Sequence, residues 1–244
     1  MLTTEQLVQR WEDQRNIKNL MGKYCNIVIL NREGEIPERF WSARADISLG
    51  FNEGFYVGQA AVNGYYAAVK RRNLLVAQLL QKRFPEQLGG KSDEEIYGIG
   101  PFKVKPLSSP LIEVAGDGET AKGLWTCQGA HNEVGTSGPV ANWTWGYFAV
   151  DFIREDDGWK IWHMQYVNDV DCICGQSWGR AQQSYPELPE FAPLGEFHYP
   201  DYTVARTLRR LYSADRPLTL TPEIPVPYDT FANTFSYGAE QEAV

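Results

Sequence analysis

The spacing of apolar residues predicts helices in the first third of the chain. Apolar side chains recur at helical intervals until Gly34 breaks the pattern, which predicts a long first helix capped by Thr3 or Thr4. A short helix is expected over 36–41, where a proline suits the first turn. A second long helix is predicted over 59–84, and the proline that follows it ends the pattern.

Strand patterns dominate the middle of the chain. A hairpin is expected first, with strands over 46–51 and 55–57. The turns AGDGET and REDDGW each place a glycine where a tight turn needs positive φ. Because such turns join neighbouring antiparallel strands, we expect a meander of four strands, over 107–115, 121–134, 142–155 and 159–170.

The character of the sequence changes after Asp171. The residues beyond it are rich in proline and aromatic side chains, a composition that favours extended chain lying on a neighbouring surface. We therefore divide the protein into a domain over 1–171 and a C-terminal arm over 172–244, with one short helix at 202–212. The arm is expected to pack on the domain or on a partner subunit.

The order of elements predicts the fold class. Long N-terminal helices packed on a curved antiparallel sheet form an α+β fold. A sheet rolled around a long helix makes a cone-shaped domain with a cavity at its open end. Such a cavity is the first place to expect a ligand.

Composition and charge narrow the range of partners. The chain is 43% hydrophobic and 22% charged, as expected for a folded globular protein. Its net charge of −8 repels phosphate backbones, so we expect no nucleic-acid partner. The N-terminus has no signal-peptide pattern, and no apolar run approaches the roughly 20 residues that span a bilayer. We therefore expect a cytoplasmic protein without a membrane partner.

Cofactor motifs are missing from the sequence. Cys172 and Cys174 form a C-x-C pair, but a zinc site needs further ligands at suitable spacing and none is nearby in sequence. Four cysteines in a chain of 244 residues do not predict a disulfide framework. No phosphate-binding glycine motif follows a strand. We expect neither a metal nor another cofactor.

Asp151 lies in the middle of a predicted strand, although acids are depleted from strands. Trp145 and Tyr147 share its face, and both faces of the strand are apolar. We interpret this as one face toward the cavity and the other toward the arm or a second subunit. Asp151 is then a protonated hydrogen-bond donor in an aromatic pocket. The alternative is a structural carboxylate paired with Lys160, Arg154 or the arm.

Histidine titrates near neutral pH, so each histidine is a candidate for proton transfer. His131 lies near the end of its strand beside a glycine-rich loop, which predicts a position at the mouth of the cavity. His163 lies inside the last strand, where a structural role is more common. His198 belongs to the arm and would need to fold over the pocket.

The phrases PLIEVAGDGETAKGLW and WGYFAVDFIREDDGWKIWH resemble the nuclear transport factor 2-like superfamily, in its SnoaL-like branch. The resemblance covers roughly residues 5–171. That superfamily includes ketosteroid isomerases, polyketide cyclases, scytalone dehydratase and small-ligand binders. It implies a cone-shaped, cystatin-like roll.

Residue by residue, the resemblance to ketosteroid isomerases is incomplete. Tyr24 in KYCNIVILN falls where those enzymes keep an oxyanion-hole tyrosine, and Asp151 falls where they keep a protonated aspartate. Leu49 falls at their general-base position and cannot accept a proton. The comparison also implies that Met164, Tyr166 and Asn168 line the cavity, whereas His163 faces outward. His131 is the best counterpart of one histidine of scytalone dehydratase.

Together these features predict a cofactor-independent lyase or isomerase that acts on a small, hydrophobic, oxygenated cyclic substrate. Tyr24 and Asp151 would bind a carbonyl oxygen, and His131 or a water would move the proton. Trp145 and Tyr147 would bind the substrate with the last strand. The alternative, favoured by Leu49, is a small-ligand-binding protein without chemistry.

The apolar outer face of the sheet also predicts self-association. A homodimer through the sheets is the first expectation, and a trimer is the second.

Overall fold

The computed structural model describes residues 3–135, 138–179 and 197–239. Its helices begin with α1, whose Thr3 cap and Gln6 side chain form a reciprocal capping box. Burial of one face along successive helical turns, rather than helix propensity alone, holds the two long helices in place. The helices are α1 (Thr4–Ile29), α2 (Ile36–Phe40), α3 (Gln59–Arg83), α4 (Pro85–Leu88) and α5 (Asp93–Ile96).

The strands of the described residues form one eight-stranded sheet in the order β3-β5-β6-β7-β1-β2-β8, with β4 also paired to β5. The turns at Gly118 and Gly158 have φ of 78° and 120°, as the turn sequences predict. The bounds are β1 (Ser48–Phe51), β2 (Gly54–Val57), β3 (Lys103–Val104), β4 (Leu107–Val114), β5 (Thr120–Gly135), β6 (Gly138–Glu155), β7 (Gly158–Ile173) and β8 (Val204–Ala205).

The predicted α+β fold is confirmed, and the sheet is mixed. The meander from β4 to β7 is antiparallel throughout. The hairpin β1–β2 joins the far side of β7 through a parallel pairing of β1, in which Leu49 lies opposite Met164. This pairing brings the hairpin beside the cavity.

The main core lies between α1, α3 and the concave face of the sheet. Ile17 and Met21 of α1 meet Val62 of α3 and the inward residues Phe148 and Val150 of β6. All five are at most 1% exposed. Each such side chain contributes roughly 1.5–3 kcal/mol through burial.

Two β-bulges in β7 decide which of its residues face inward. The pairing with β6 shifts register once between Trp145 and Gly146 and again between Asp151 and Phe152, leaving Asp169 and Trp162 unpaired on β7. A bulge adds one residue and so reverses the alternation beyond it. Ile161 therefore lies in the same core as Met164, although simple alternation separates them.

The part of the arm that begins at residue 197 joins the sheet and borders the cavity. β8 pairs with β2, and the Tyr56 hydroxyl donates a hydrogen bond to the carbonyl of Pro200 at 2.9 Å. The helix predicted over 202–212 is wrong. Its backbone N–H groups instead bond the β1–β2 turn, as Leu208 does to the carbonyl of Asn52 at 2.7 Å. The arm residues 180–196 lie outside the described residues.

The last described part of the arm covers the outer face of the same chain's sheet. Tyr237 is 2% exposed and packs with Leu124 and Ala149. Gln165 of β7 donates its side-chain N–H to the carbonyl of Tyr237 at 2.8 Å. The face on which the homodimer was predicted is therefore occupied here by the chain itself, and the predicted homodimer or trimer stays a prediction.

Candidate functional site

A cavity of about 210 Å³ opens between α1, α3 and the concave face of the sheet. Its walls are mixed: aromatic and aliphatic side chains line one part, and ionisable side chains line the rest. The lining residues include Tyr24, Leu49, Tyr66, Arg72, Lys103, Lys105, His131, Thr144, Phe148, Met164, Tyr166, Asn168, Asp171 and Tyr199.

Tyrosine and phenylalanine rings line the apolar part of the cavity, which we call the aromatic floor: Tyr24, Phe148 and Tyr166. Phe148 and Tyr166 are opposite each other on β6 and β7, with ring centroids 4.6 Å apart. The Tyr24 and Tyr66 hydroxyls, from α1 and α3, share a hydrogen bond of 3.1 Å. Burial raises the pKa of Tyr24 well above its ordinary value, so this hydroxyl stays neutral and can donate to a ligand.

His131 stands at the polar end of the cavity. It lies opposite Lys103 of β3 on one side and Asn142 of β6 on the other. Burial, and to a smaller extent the nearby cations Lys105, Arg72 and Lys103, lower its pKa to about 4. The imidazole is therefore neutral at neutral pH.

Asp171 stands two strands away from His131. It lies opposite Thr144 on β6, and its Oδ1 accepts a hydrogen bond of 3.0 Å from Asn142 Nδ2. Burial raises the pKa of Asp171, while the bond from Asn142 and the charge of Lys105 act in the other direction. A carboxylate with a raised pKa is a stronger base than an exposed one.

Lys105 reaches the cavity from the short segment that follows β3. Its Nζ lies 3.6 Å from the centroid of the Tyr166 ring. The surrounding protein lowers its pKa by desolvation, although the side chain retains surface where it lines the cavity. Lys103, two residues earlier, instead forms an ion pair with Glu33.

The structure brings together some of the residues predicted for the site. Tyr24 and His131 both line the cavity, together with the substrate-binding candidates of β7, namely Met164, Tyr166 and Asn168. Leu49, which resemblance placed at the general-base position, also lines the cavity. The chemical roles assigned to these residues stay predictions.

Asp151 requires a correction, because it lies on the outer face of the sheet and not in the cavity. Its carboxylate is fully buried and accepts a hydrogen bond of 2.6 Å from Lys122 Nζ, also fully buried. His163 Nδ1 lies 2.9 Å away, and the Tyr237 N–H donates at 2.8 Å. The strand register explains the error. Asp151 is directly opposite His163, and opposite residues share a face of the sheet. The prediction of Asp151 in the cavity was therefore incompatible with the prediction of His163 on the outer face. The alternative of a structural ion pair applies, with Lys122 as the partner.

Trp145 and Tyr147 lie outside the cavity for the same reason, since they share the outer face with Asp151. The Trp145 ring packs against Trp178, with centroids 4.9 Å apart. The Arg209 guanidinium of the arm lies 4.8 Å from the centroid of the Tyr147 ring. Neither residue is placed to bind a ligand of this cavity.

Three residues of the site were missed from the sequence. Lys105 was given no role, although the spacing of Lys103 and Lys105 in KVK places both on one face of an extended segment. Asp171 was treated only as a domain boundary. Tyr66 lies on α3 and had no distinguishing signal, because its pairing with Tyr24 depends on how two helices pack.

Two further observations concern cofactors and membranes. Within the described ranges, no group of three or more histidine, cysteine, aspartate or glutamate residues is arranged to hold a metal ion. No helix in the part of the chain that the structure describes is long and apolar enough to cross a bilayer.

A conical cavity between long helices and a curved mixed sheet defines a protein of the nuclear transport factor 2-like, cystatin-like class. The chain belongs to the SnoaL-like domain family, which matches residues 9–165. No curated protein matches the sequence.

Solved structures of similar fold have low sequence identity to this chain. A hexachlorocyclohexane dehydrochlorinase from Novosphingobium barchaimii is 11% identical over 70% of this chain and 95% of that chain, with a TM-score of 0.48. An NTF2-like protein with a cystatin-like fold from Novosphingobium aromaticivorans is 15% identical over 72% and 94%, with a TM-score of 0.40. An NTF2-like superfamily protein from Salmonella enterica is 14% identical over 68% and 97%, with a TM-score of 0.44.

Proposed function

We propose that this protein is a cofactor-independent lyase or isomerase that acts on a small, hydrophobic, oxygenated cyclic compound. The observation that carries the proposal is the lining of one cavity. There a buried tyrosine hydroxyl pair, a neutral imidazole and a carboxylate of raised pKa surround an aromatic floor. Membership of the SnoaL-like family supports this general kind of function.

Tyr24 is the proposed donor to a substrate carbonyl. Its neutral hydroxyl is held by Tyr66 at 3.1 Å, so it needs little rearrangement to bind an oxygen on which negative charge develops. A pre-positioned donor of this kind is worth roughly 3 kcal/mol of activation free energy. Tyr66 orients the Tyr24 hydroxyl through their shared hydrogen bond.

Asp171 is the proposed general base, in place of the leucine at position 49. It removes a proton from the carbon next to the carbonyl, and the electron pair moves to the oxygen bound by Tyr24. Its raised pKa makes it able to hold that proton until it is returned to another carbon or lost with a leaving group. Burial and the surrounding cations disfavour protonation of the His131 ring, so His131 acts as a neutral hydrogen-bonding group.

The test is hydrogen exchange, which does not require the natural substrate. A panel of cyclic ketones is incubated with the protein in D₂O, and loss of the α-proton signal is followed by NMR. We expect at least one ketone to exchange faster than with Asp171→Asn. A matched Asp169→Asn variant changes a carboxylate that bonds Arg209 of the arm, so it controls for a general loss of charge on β7.

Exchange that persists unchanged in Asp171→Asn would remove this residue from the mechanism. If ligands stabilise the protein against heat but no ketone exchanges, the second candidate applies: a binding protein without chemistry. Leu49 in the cavity wall is the observation that favours that candidate. Thermal stabilisation measures binding alone, because a ligand that binds only the native state raises its stability.

A further inference from the structure

We infer that the ligand of this cavity carries a carboxylate, and that Lys105 binds it while an apolar ring lies on the aromatic floor. The inference rests on the proposed function only in taking the cavity as the ligand site. It adds a chemical class, a monocyclic carboxylic acid, and a residue that selects it.

The first observation is that Lys105 has no carboxylate partner. Within the described ranges, no aspartate or glutamate oxygen lies within 4.0 Å of its Nζ. The other lysines enclosed by this domain are paired, Lys103 with Glu33 and Lys122 with Asp151. An enclosed ammonium gains most from a charged, hydrogen-bonded partner, and because Lys105 lines the cavity a ligand there can supply one.

The second observation is that both carboxylates of the cavity lining already have other partners. These carboxylates are Glu33 and Asp171. Glu33 is bound by Lys103 and also accepts a hydrogen bond of 3.2 Å from Asn73. Asp171 accepts from Asn142, and His131 adds no charge because it is neutral. Neither carboxylate is therefore the counter-ion of Lys105, and a ligand anion can take that position.

The groups nearest Lys105 cannot supply that anion. Burial raises the pKa of Cys25 to about 12 and that of Cys127 to about 11, so both remain uncharged thiols. Burial likewise raises the pKa of the Tyr166 hydroxyl. The Tyr166 ring stabilises the ammonium through its face, which leaves the N–H groups of Lys105 able to donate to a ligand.

The shape of the cavity supports the remainder of the inference. Gly129 lets the segment after β3 cross close to β5, since a Cβ there would lie 2.5 Å from the carbonyl of Val104 and 3.6 Å from Cα of Lys105. That crossing places Lys105 over the Tyr166 ring. A volume of about 210 Å³ is smaller than most pockets for drug-sized ligands, roughly 300–1,000 Å³, and suits a single ring.

The experiment compares isosteric acids and amides by calorimetric titration at neutral pH. Benzoate is paired with benzamide, and cyclohexanecarboxylate with cyclohexanecarboxamide. We expect each acid to bind the wild type at least about tenfold more tightly than its amide. Lys105→Met should abolish the preference, and Lys105→Arg should retain most of it. Lys18→Met, at an exposed position of α1, controls for net charge and should leave the preference unchanged.

Equal binding of acid and amide by the wild type, failure of either acid to bind, or a preference that survives Lys105→Met would each overturn the inference. The exchange assay is independent of this result. Exchange of ketones without a preference for acids keeps the proposed lyase or isomerase and removes the carboxylate subsite. A preference that depends on Lys105 without any exchange keeps the subsite and removes the chemistry.

Discussion

Replacing Asp151 by asparagine is expected to destabilise the fold without touching the cavity. The carboxylate joins three parts of the protein: Lys122 of β5, His163 of β7 and the arm at Ser236 and Tyr237. The arm also surrounds the Lys122 ammonium with four rings, whose centroids lie 4.4–5.8 Å from Nζ, namely Tyr228, Phe231, Phe235 and Tyr237. Asparagine keeps the shape of the side chain and removes its charge.

The magnitude follows from burial. Both charged side chains are 0% exposed, and removal of one member of a buried pair costs about 3–5 kcal/mol because the other charge is left without a counter-ion. Burial already lowers the pKa of Lys122, against the charge of Asp151, which shows that the ammonium has little solvation to replace its partner. A domain of ordinary stability, about 5–15 kcal/mol, would remain folded but lose much of its margin.

Removal of Lys122 instead should cost less. In Lys122→Met the carboxylate keeps its bonds to Ser236 and the Tyr237 N–H and its contact with His163 Nδ1. A double variant, Asp151→Asn with Lys122→Met, leaves no unpaired charge. It should therefore be more stable than the sum of the single changes predicts, by about 1–3 kcal/mol.

The assay is urea unfolding followed by the fluorescence of the eight tryptophans. Asp46→Asn is the matched control, because that carboxylate pairs with Arg44 on the surface with 48% of its side chain exposed, and its loss should cost under about 1 kcal/mol. Chymotrypsin should cut the arm at Phe231 or Phe235 faster in Asp151→Asn. A loss no larger than that of the control, with unchanged arm cleavage, would refute the view that this pair secures the arm.

The remaining predictions concern the cavity and one bulge. Native His131 stays neutral down to about pH 4, whereas the unfolded ring takes a proton near pH 6.5, so unfolding binds protons as pH falls and stability falls with it. Wild type should therefore lose about 2 kcal/mol between pH 7 and pH 5 that His131→Gln does not lose, measured by urea unfolding at both pH values; equal losses would contradict the shift. A Cβ at Gly146 would lie 1.9 Å from the backbone oxygen of Val167, so Gly146→Ala should cost more than about 3 kcal/mol of stability or prevent folding. The control is Gly64→Ala on α3, where a Cβ meets nothing within 4 Å. In the same thermal unfolding assay this control should stabilise the protein by about 0.5–1 kcal/mol. Tyr24→Phe should cost about 1 kcal/mol of stability, because it removes a buried hydrogen bond to Tyr66. It should also slow α-proton exchange about 100-fold, and an unchanged exchange rate would contradict the oxyanion role of Tyr24.

The local patterns were sufficient for the elements of the domain. Helical periodicity and the Thr3 cap predict α1, and the glycines of the two hairpin turns predict where β4, β5, β6 and β7 end. These signals act within a few residues of chain, so one sequence is enough to locate them. The pattern failed in the arm, where 202–212 has the apolar spacing of a short helix but satisfies its backbone on the β1–β2 turn.

The candidate site was only partly predictable. Tyr24 and His131 could be identified because the resemblance and the strand ends pointed to a cavity mouth. Asp171 and Lys105 could not, because their significance depends on burial and on neighbours from α1, β5 and β6 that no stretch of sequence brings together.

The sequence by itself determined the long helices and the long strands of the domain, the α+β fold and the SnoaL-like kinship, because these depend on local periodicity and on recognisable phrases. Only the tertiary structure decided which face of β6 looks into the cavity. Both faces of β6 are apolar, because helices cover one and the arm covers the other. The alternation of side chains therefore does not distinguish the cavity face from the outer face. The bulges at Asp169 and Trp162 then shift the alternation of β7, and the arm places Asp151 in a buried ion pair.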